Sequence, residues 1–155
     1  MNKAKTALIW IVEVLNKHGI PYQVEGGLAA NCYGSTRELA DIDIFIPSFG
    51  FDKISKDVEG YVDFGPALHT GTHWRLVYQV LDYRGQQIEI CDAGNARYLD
   101  SANNTWIIRD IDFTEAETIE ILDISTRVIP KNDLIEYKSR VNREVDIIDI
   151  EQMKD

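Results

Sequence analysis

The sequence has no apolar run near the ~20 residues that a membrane-spanning helix requires, which excludes a helical membrane protein. Its first apolar stretch, Ala7 to Leu15, contains Glu13 and leads into Lys17-His18-Gly19. That stretch reads as an amphipathic helix rather than a secretory signal, so a cytoplasmic protein is expected. Cysteine is scarce. Cys32 and Cys91 lack metal-type spacing, and in a reducing compartment they read as small core residues rather than a disulfide. Positive charge is short as well: 16 Lys and Arg stand against 26 Asp and Glu, for a net charge of −10. With no Lys/Arg cluster to offset it, that balance disfavours nucleic acid and fits a small cationic partner better. Repeats, low-complexity runs and linkers are absent too, so residues 1–155 read as a single domain large enough for one core.

What is present concentrates in residues 25–47, EGGLAANCYGSTRELADIDIFIP. The run Ala40 to Ile46 alternates as a strand does, setting Asp41 and Asp43 on one face and Ile42, Ile44 and Ile46 on the other. Two adjacent carboxylates repel each other unless a cation lies between them, and hard oxygen donors suit Mg²⁺ or Mn²⁺ better than zinc. Before this strand, Pro21 to Glu25 reads as a short strand and Leu28 to Tyr33 as a short helix. Gly26 and Gly27, between them, permit backbone torsions other residues avoid and leave free amides able to face phosphate oxygens. Gly34, Ser35 and Thr36 then break the helix and lead to Arg37.

Gly26, Gly27, Ala29, Arg37, Asp41 and Asp43 together resemble the signature of the nucleotidyltransferase superfamily typified by DNA polymerase beta. The likeness is closest to its small bacterial members, the aminoglycoside and lincosamide nucleotidyltransferases. A second stretch, IPKNDLIEYKSRVNREVDIIDI, resembles the ending of AbiEii-type nucleotidyltransferases through Pro130, Leu134, Lys138, Arg143, Asp146 and Asp149. One departure is that Val145 replaces the usual basic residue before the first of those acids. The matched stretches cover under a third of the chain, in the expected order. Asp-x-Asp alone is a common pair; its combination with the Gly-Gly turn and the C-terminal match is what carries the resemblance.

The resemblance implies a divalent-metal-dependent transfer of a nucleoside monophosphate from an NTP co-substrate to an acceptor hydroxyl, with antibiotic modification as a precedent. A two-metal site needs a third acid from a neighbouring strand. Glu89, flanked by Ile88 and Ile90, and Asp92, which faces the other way, are both candidates. The resemblance favours Glu89, as metal ligand and as the base that takes the acceptor's proton. Arg37 has two readings, as a phosphate contact or as a brace for Asp41 and Asp43. Lys138 is expected at phosphate and Asp146 on the acceptor side. Asp146 and Asp149 share one helix face, a pattern that in isolation describes a solvated helix. The chain is small for a transferase with its own acceptor domain, so a homodimer or protein partner could complete the site. Two other readings are a toxin of a toxin–antitoxin pair acting on RNA or protein, and a non-catalytic nucleotide-binding or interaction module.

The remaining sequence predicts an α+β fold, a mixed sheet covered by helices. A helix is expected over Phe49–Glu59 and a hairpin region from Tyr61 to Asp92, with strands Trp74–Tyr83 and Gln86–Asp92 joined at Arg84-Gly85. After a loop with Asn103 and Asn104, strands are expected at Trp106–Ile108 and Thr118–Ile124. A helix beginning near Asn132 or Asp133, with Glu136 as capping partner, follows. His69 and His73 flank Thr70-Gly71-Thr72, a poor helix sequence, so acceptor contact or loop packing is expected there rather than zinc. Trp74, Tyr78 and Tyr83 read as core and sheet surface.

Overall fold

Strand alternation and buried isoleucines organise the architecture. In the computed structural model, which describes residues 2–154, all nine strands join one mixed sheet in the order β7-β6-β4-β5-β2-β1-β9-β8, with β3 on the far side of β4. The strands are β1 (Gln23–Glu25), β2 (Asp41–Ile46), β3 (Val62–Thr70), β4 (Trp74–Tyr83), β5 (Gln86–Asp92), β6 (Arg97–Asp100), β7 (Thr105–Ile108), β8 (Glu117–Ile121) and β9 (Ile124–Val128). The helices are α1 (Lys3–Lys17), α2 (Gly26–Cys32), α3 (Gly50–Val58), α4 (Lys131–Val141) and α5 (Glu144–Met153). No described helix is long and apolar enough to cross a membrane.

Ile42, Ile44 and Ile46 of β2 and Ile88 and Ile90 of β5 are fully buried, in one cluster with Leu8, Ile11 and Leu15 of α1 and Ile54 of α3. Each such side chain contributes about 1.5–3 kcal/mol relative to exposure, which fixes which face of these strands points inward. Tyr83 belongs to this core, stacked at 4.3 Å on Trp10, whereas Trp74 and Tyr78 lie on the opposite face of β4 and line a cleft.

Several elements depart from the sequence expectation. The expected strand Thr118–Ile124 is a hairpin: β8 turns at Leu122 and Asp123, with φ of 52° and 69°, and returns as β9. Two consecutive positive φ angles make a tight hairpin turn, but Leu is not a residue that announces one. The fourth helix starts at Lys131 behind Pro130, with no side-chain cap, and Glu136 instead pairs with Arg140 at 2.7 Å. Pro130 itself stands at the N-cap position, with φ of −56° and ψ of 143°, and has no side-chain oxygen with which to accept from the first free amides. The second helix begins at Gly26, two residues earlier than its apolar pattern indicates. Strand β6 pairs with β4 and β7 and has no clear alternation of its own.

Candidate active site

On the face of the sheet opposite the isoleucine core, β1, β2 and β5 lie side by side, and their register sets three acids in a row. Glu25 is the Cα partner of Asp43, and Asp43 is the Cα partner of Glu89. Asp41 sits one pleat along from Asp43, opposite Gln87. Like charges directly across strands are destabilising, so each of these acids must be neutralised in some way.

Glu25 is neutralised by protein. It is buried and meets the Arg109 guanidinium with both oxygens at 2.9 Å, while Gln23 donates to it at 2.9 Å. Arg109 in turn lies over the Tyr137 ring at 4.0 Å and the Phe45 ring at 5.0 Å. Sequence reasoning missed this pair, because Arg109 and Glu25 are 84 residues apart and no motif links them.

Asp41, Asp43 and Glu89 have no such partner cation. Among the described residues they are the one set of His, Cys, Asp and Glu side chains close enough to hold a metal, with carboxylate oxygens within 4.8 Å of one another. Burial, then the charges of Asp41 and Glu89, push the Asp43 carboxyl well above its usual range. Burial also raises Asp41 and Glu89, although Arg37 and Arg143 pull Asp41 back toward ionisation. Three half-buried carboxylates with raised proton affinity form a hard-oxygen donor set that a divalent cation would relieve.

Asp92 does not join them. Its carboxylate accepts from Ser48 Oγ at 2.5 Å and from the Gly94 amide at 2.7 Å, closing the turn after β5. Of the two candidate third acids, Glu89 is therefore the one brought to the aspartates.

The Gly-Gly turn comes close to this group. Gly26 has a φ of 62°, and a Cβ there would stand 2.0 Å from Asp43 Oδ2. Glycine is thus required twice over, for the torsion and for the space. Gly27 is less constrained: a Cβ would meet Arg37 Nη2 at 3.4 Å.

Across the cleft, the expected C-terminal residues form a second network. Asp149 is fully buried and accepts from Ser35 Oγ at 2.9 Å, from Arg37 Nε at 3.0 Å and from Arg37 Nη2 at 2.8 Å. The buried Lys138 ammonium lies 3.1 Å from Asp149 and 3.3 Å from Asp146. Arg143 holds Asp146 with two nitrogens at 2.9 and 3.0 Å. Burial alone would raise Asp149, but hydrogen bonds from Arg37, Ser35 and Lys138 outweigh it and hold the carboxyl at about 2. Asp146 is lowered against its burial by Arg143.

Two expectations change in this network. Arg37 makes its hydrogen bonds to Asp149 and not to Asp41 or Asp43, which it reaches only through its field. The basic charge missing at Val145 is supplied to Asp146 by Arg143, one helical turn earlier.

Between the two networks lies a cleft of about 350 Å³, lined by the three acids, Gly26, Lys138, Arg143 and Asp146 and by Trp74, Tyr78 and Tyr137. Trp74 donates its indole N–H to the Tyr137 hydroxyl, and Arg143 covers its ring at 4.7 Å. His69 lines the cleft beside Tyr78, at a ring separation of 5.1 Å, while His73 packs at the edge of Trp74. Cys91 lies in the cleft wall and Cys32 is half-buried near the core; both are free thiols.

No family model matches the chain, and no curated protein matches it by sequence. Solved structures do match its shape. A Thermotoga maritima protein described as a candidate nucleotidyltransferase superposes with a TM-score of 0.75 at 18% identity, covering 91% of this chain and 86% of that one. A lincosamide antibiotic adenylyltransferase with lincomycin bound gives 0.61 at 16% identity, over 94% of this chain and 93% of the other. The antibiotic-resistance factor ANT(2″)-Ia, in complex with adenylyl-2″-tobramycin, gives 0.62 at 14% identity, over 98% and 88%. At such identities the agreement is one of architecture: an α+β mixed sheet flanked by helices, which is the nucleotidyltransferase fold.

Proposed function

We propose that this chain is a divalent-metal-dependent nucleotidyltransferase, moving a nucleoside monophosphate from an NTP to a hydroxyl of a small-molecule acceptor. The observation that carries the reading is the convergence of Asp41, Asp43 and Glu89 within 4.8 Å, uncompensated by any hydrogen-bonded cation, in a cleft whose other wall holds Lys138 and Arg143. The donor set fits Mg²⁺ or Mn²⁺, which when bound would neutralise phosphate charge and acidify the acceptor hydroxyl. Asp41 and Asp43 serve as metal ligands from one strand, and Glu89 as the third ligand from the next. Glu89, with its raised proton affinity, also suits the role of base for the acceptor's proton.

Lys138 and Arg143 face the triphosphate in this reading, and Gly26 and Gly27 keep the turn clear of side chains so that it can approach. Arg37 acts from behind, through Asp149. As the hydroxyl attacks, the new bond from acceptor oxygen to the α-phosphorus forms while the bridging bond to the β-phosphate breaks, and pyrophosphate leaves. Residues 1–155 are read as one domain because every strand among the described residues joins a single sheet. The two antibiotic-modifying structures that share the fold make a small acceptor the natural precedent.

Calorimetric titration of ATP, GTP, CTP and UTP, with and without Mg²⁺, tests this on wild type and Asp43→Asn. Metal-dependent binding that the variant loses is expected. Absence of nucleotide binding by the wild type would favour a fold retained as a non-catalytic module.

A further inference from the structure

The whole-chain charge of −10 points toward a cationic acceptor, but the cleft itself points elsewhere. Five carboxylates line it, and each has an assigned neutraliser. Glu25 is paired with Arg109, and Asp146 with Lys138 and Arg143. Asp41, Asp43 and Glu89 are the metal-holding set. Once that set is filled, no cleft carboxylate remains to serve as counter-ion for an ammonium group.

The wall beyond Glu89 has a different character. Val80 of β4 is the Cα partner of Glu89, and Tyr78 is one pleat further along the same face. Tyr78 is flanked by Phe64 at 5.5 Å and by His69 at 5.1 Å, ring centroid to ring centroid. Phe64 is 45% exposed, so this row of rings opens to solvent at the edge of the sheet. The residues that β3 and β4 contribute to the cleft, His69, Trp74, Leu76 and Tyr78, include no carboxylate. Rings of this kind favour offset or edge-on packing against another flat apolar surface.

We infer that the acceptor carries a flat apolar or aromatic face, seated on the Phe64–Tyr78–His69 row, with its reacting hydroxyl presented to Glu89. This rests on the nucleotidyl-transfer reading given above and narrows it to one acceptor class. The row leads directly to the proposed base, and the apolar contact orients the acceptor without requiring a counter-ion.

The test measures nucleotidyl transfer from ATP·Mg²⁺ to three probes: 2-naphthyl glucoside, which has a ring and sugar hydroxyls; glucose, which lacks the ring; and tobramycin, a hydroxylated polycation. Saturable transfer to the naphthyl glucoside is expected, with a KM at least about tenfold below that of either other probe. Tyr78→Ala should raise that KM about tenfold and Phe64→Ala several-fold, while Tyr78→Phe stays near wild type and ATP affinity is unchanged in all three. Phe64 is exposed enough that its variant is expected to fold even if Tyr78→Ala does not. A lower KM for tobramycin, equal use of glucose, no transfer to the naphthyl probe, or ring variants with unchanged KM would each overturn the acceptor class. If ATP·Mg²⁺ binds and only these acceptor results fail, the nucleotidyl-transfer reading stands. Wild type that binds no nucleotide with metal would remove both.

Discussion

The two walls of the cleft use the same side chain to opposite ends. On the sheet wall, Asp41 and Asp43 are crowded by Glu89 and by burial, and their carboxyls are raised. On the helical wall, Asp146 and Asp149 are at least as hidden from solvent, yet their carboxyls are lowered, because Arg37, Lys138, Arg143 and Ser35 are bonded to them. Burial therefore does not decide the charge state of an acid here; the partners do. The helical wall pairs its acids with its own cations. The acids of the sheet wall have no hydrogen-bonded cation among the described residues, which is the gap the proposed metal would fill.

Removing one acid from each wall should break this symmetry in opposite senses, beginning with the largest effect. Asp43→Asn deletes a metal donor at nearly constant shape, so metal-dependent nucleotide binding and transfer should fall by at least about a hundredfold. It also removes repulsion, so the ligand-free variant should melt higher than the wild type. Calorimetry and thermal denaturation check the two halves of that statement, and transfer at the wild-type rate would sink the two-metal assignment.

Asp149→Ala should do the reverse. It leaves the buried Lys138 with Asp146 alone and frees Arg37, so stability should fall by about 3–5 kcal/mol, read by urea denaturation. A loss below about 1 kcal/mol would mean that the network does not lock the loop after α2 to α5.

Proton titration sharpens the contrast without mutation. Carboxyls raised in the folded state stabilise it at low pH, and that contribution is lost as pH rises through their folded values. Mg²⁺ should accordingly raise the melting temperature at pH 8 and lose the effect as pH falls through the raised folded values of the sheet-wall acids. Asp149 has the opposite sign: its stabilisation is present above 3.8, the ordinary value, and is lost as pH falls through about 2. Asp149→Asn should flatten the acid limb of the stability curve in that window, while Asp43→Asn leaves it intact.

The smallest expected effect is at Asp92. Because its carboxylate closes a turn instead of joining the acids, Asp92→Asn should leave transfer within about twofold and stability within about 1 kcal/mol, whereas Glu89→Gln abolishes transfer. Parallel initial-rate assays compare the two; loss of activity in the Asp92 variant alone would reverse the choice of third acid.

The sheet wall was legible in the sequence because it is built from local pattern. Alternation placed Asp41 and Asp43 on one face of β2, and the isoleucines on either side of Glu89 turned it the same way relative to the core. The helical wall was only half legible. In α5 the buried residues include Asp146 and Asp149 while Ile147 and Ile148 are exposed, the inverse of what hydrophobicity predicts for a helix. Arg143 and Lys138 support that inversion from nearby, but Asp149 also depends on Ser35 and Arg37, and Arg37 is 112 residues away. The Glu25–Arg109 pair and the turn at Leu122 were hidden for similar reasons, since neither has a local pattern.

The space at Gly26 has one more consequence. Because any side chain there would occupy the position of an Asp43 oxygen, the turn and the strand compete for a single volume and cannot vary independently. A Gly26→Ala lesion should be inactive, and a genetic search for second-site suppressors should find none at Asp43, since the smaller residues that would make room cannot bind metal. Under the proposed chemistry, descendants that keep it are expected to keep both residues, whereas those that abandon it are free to lose them together.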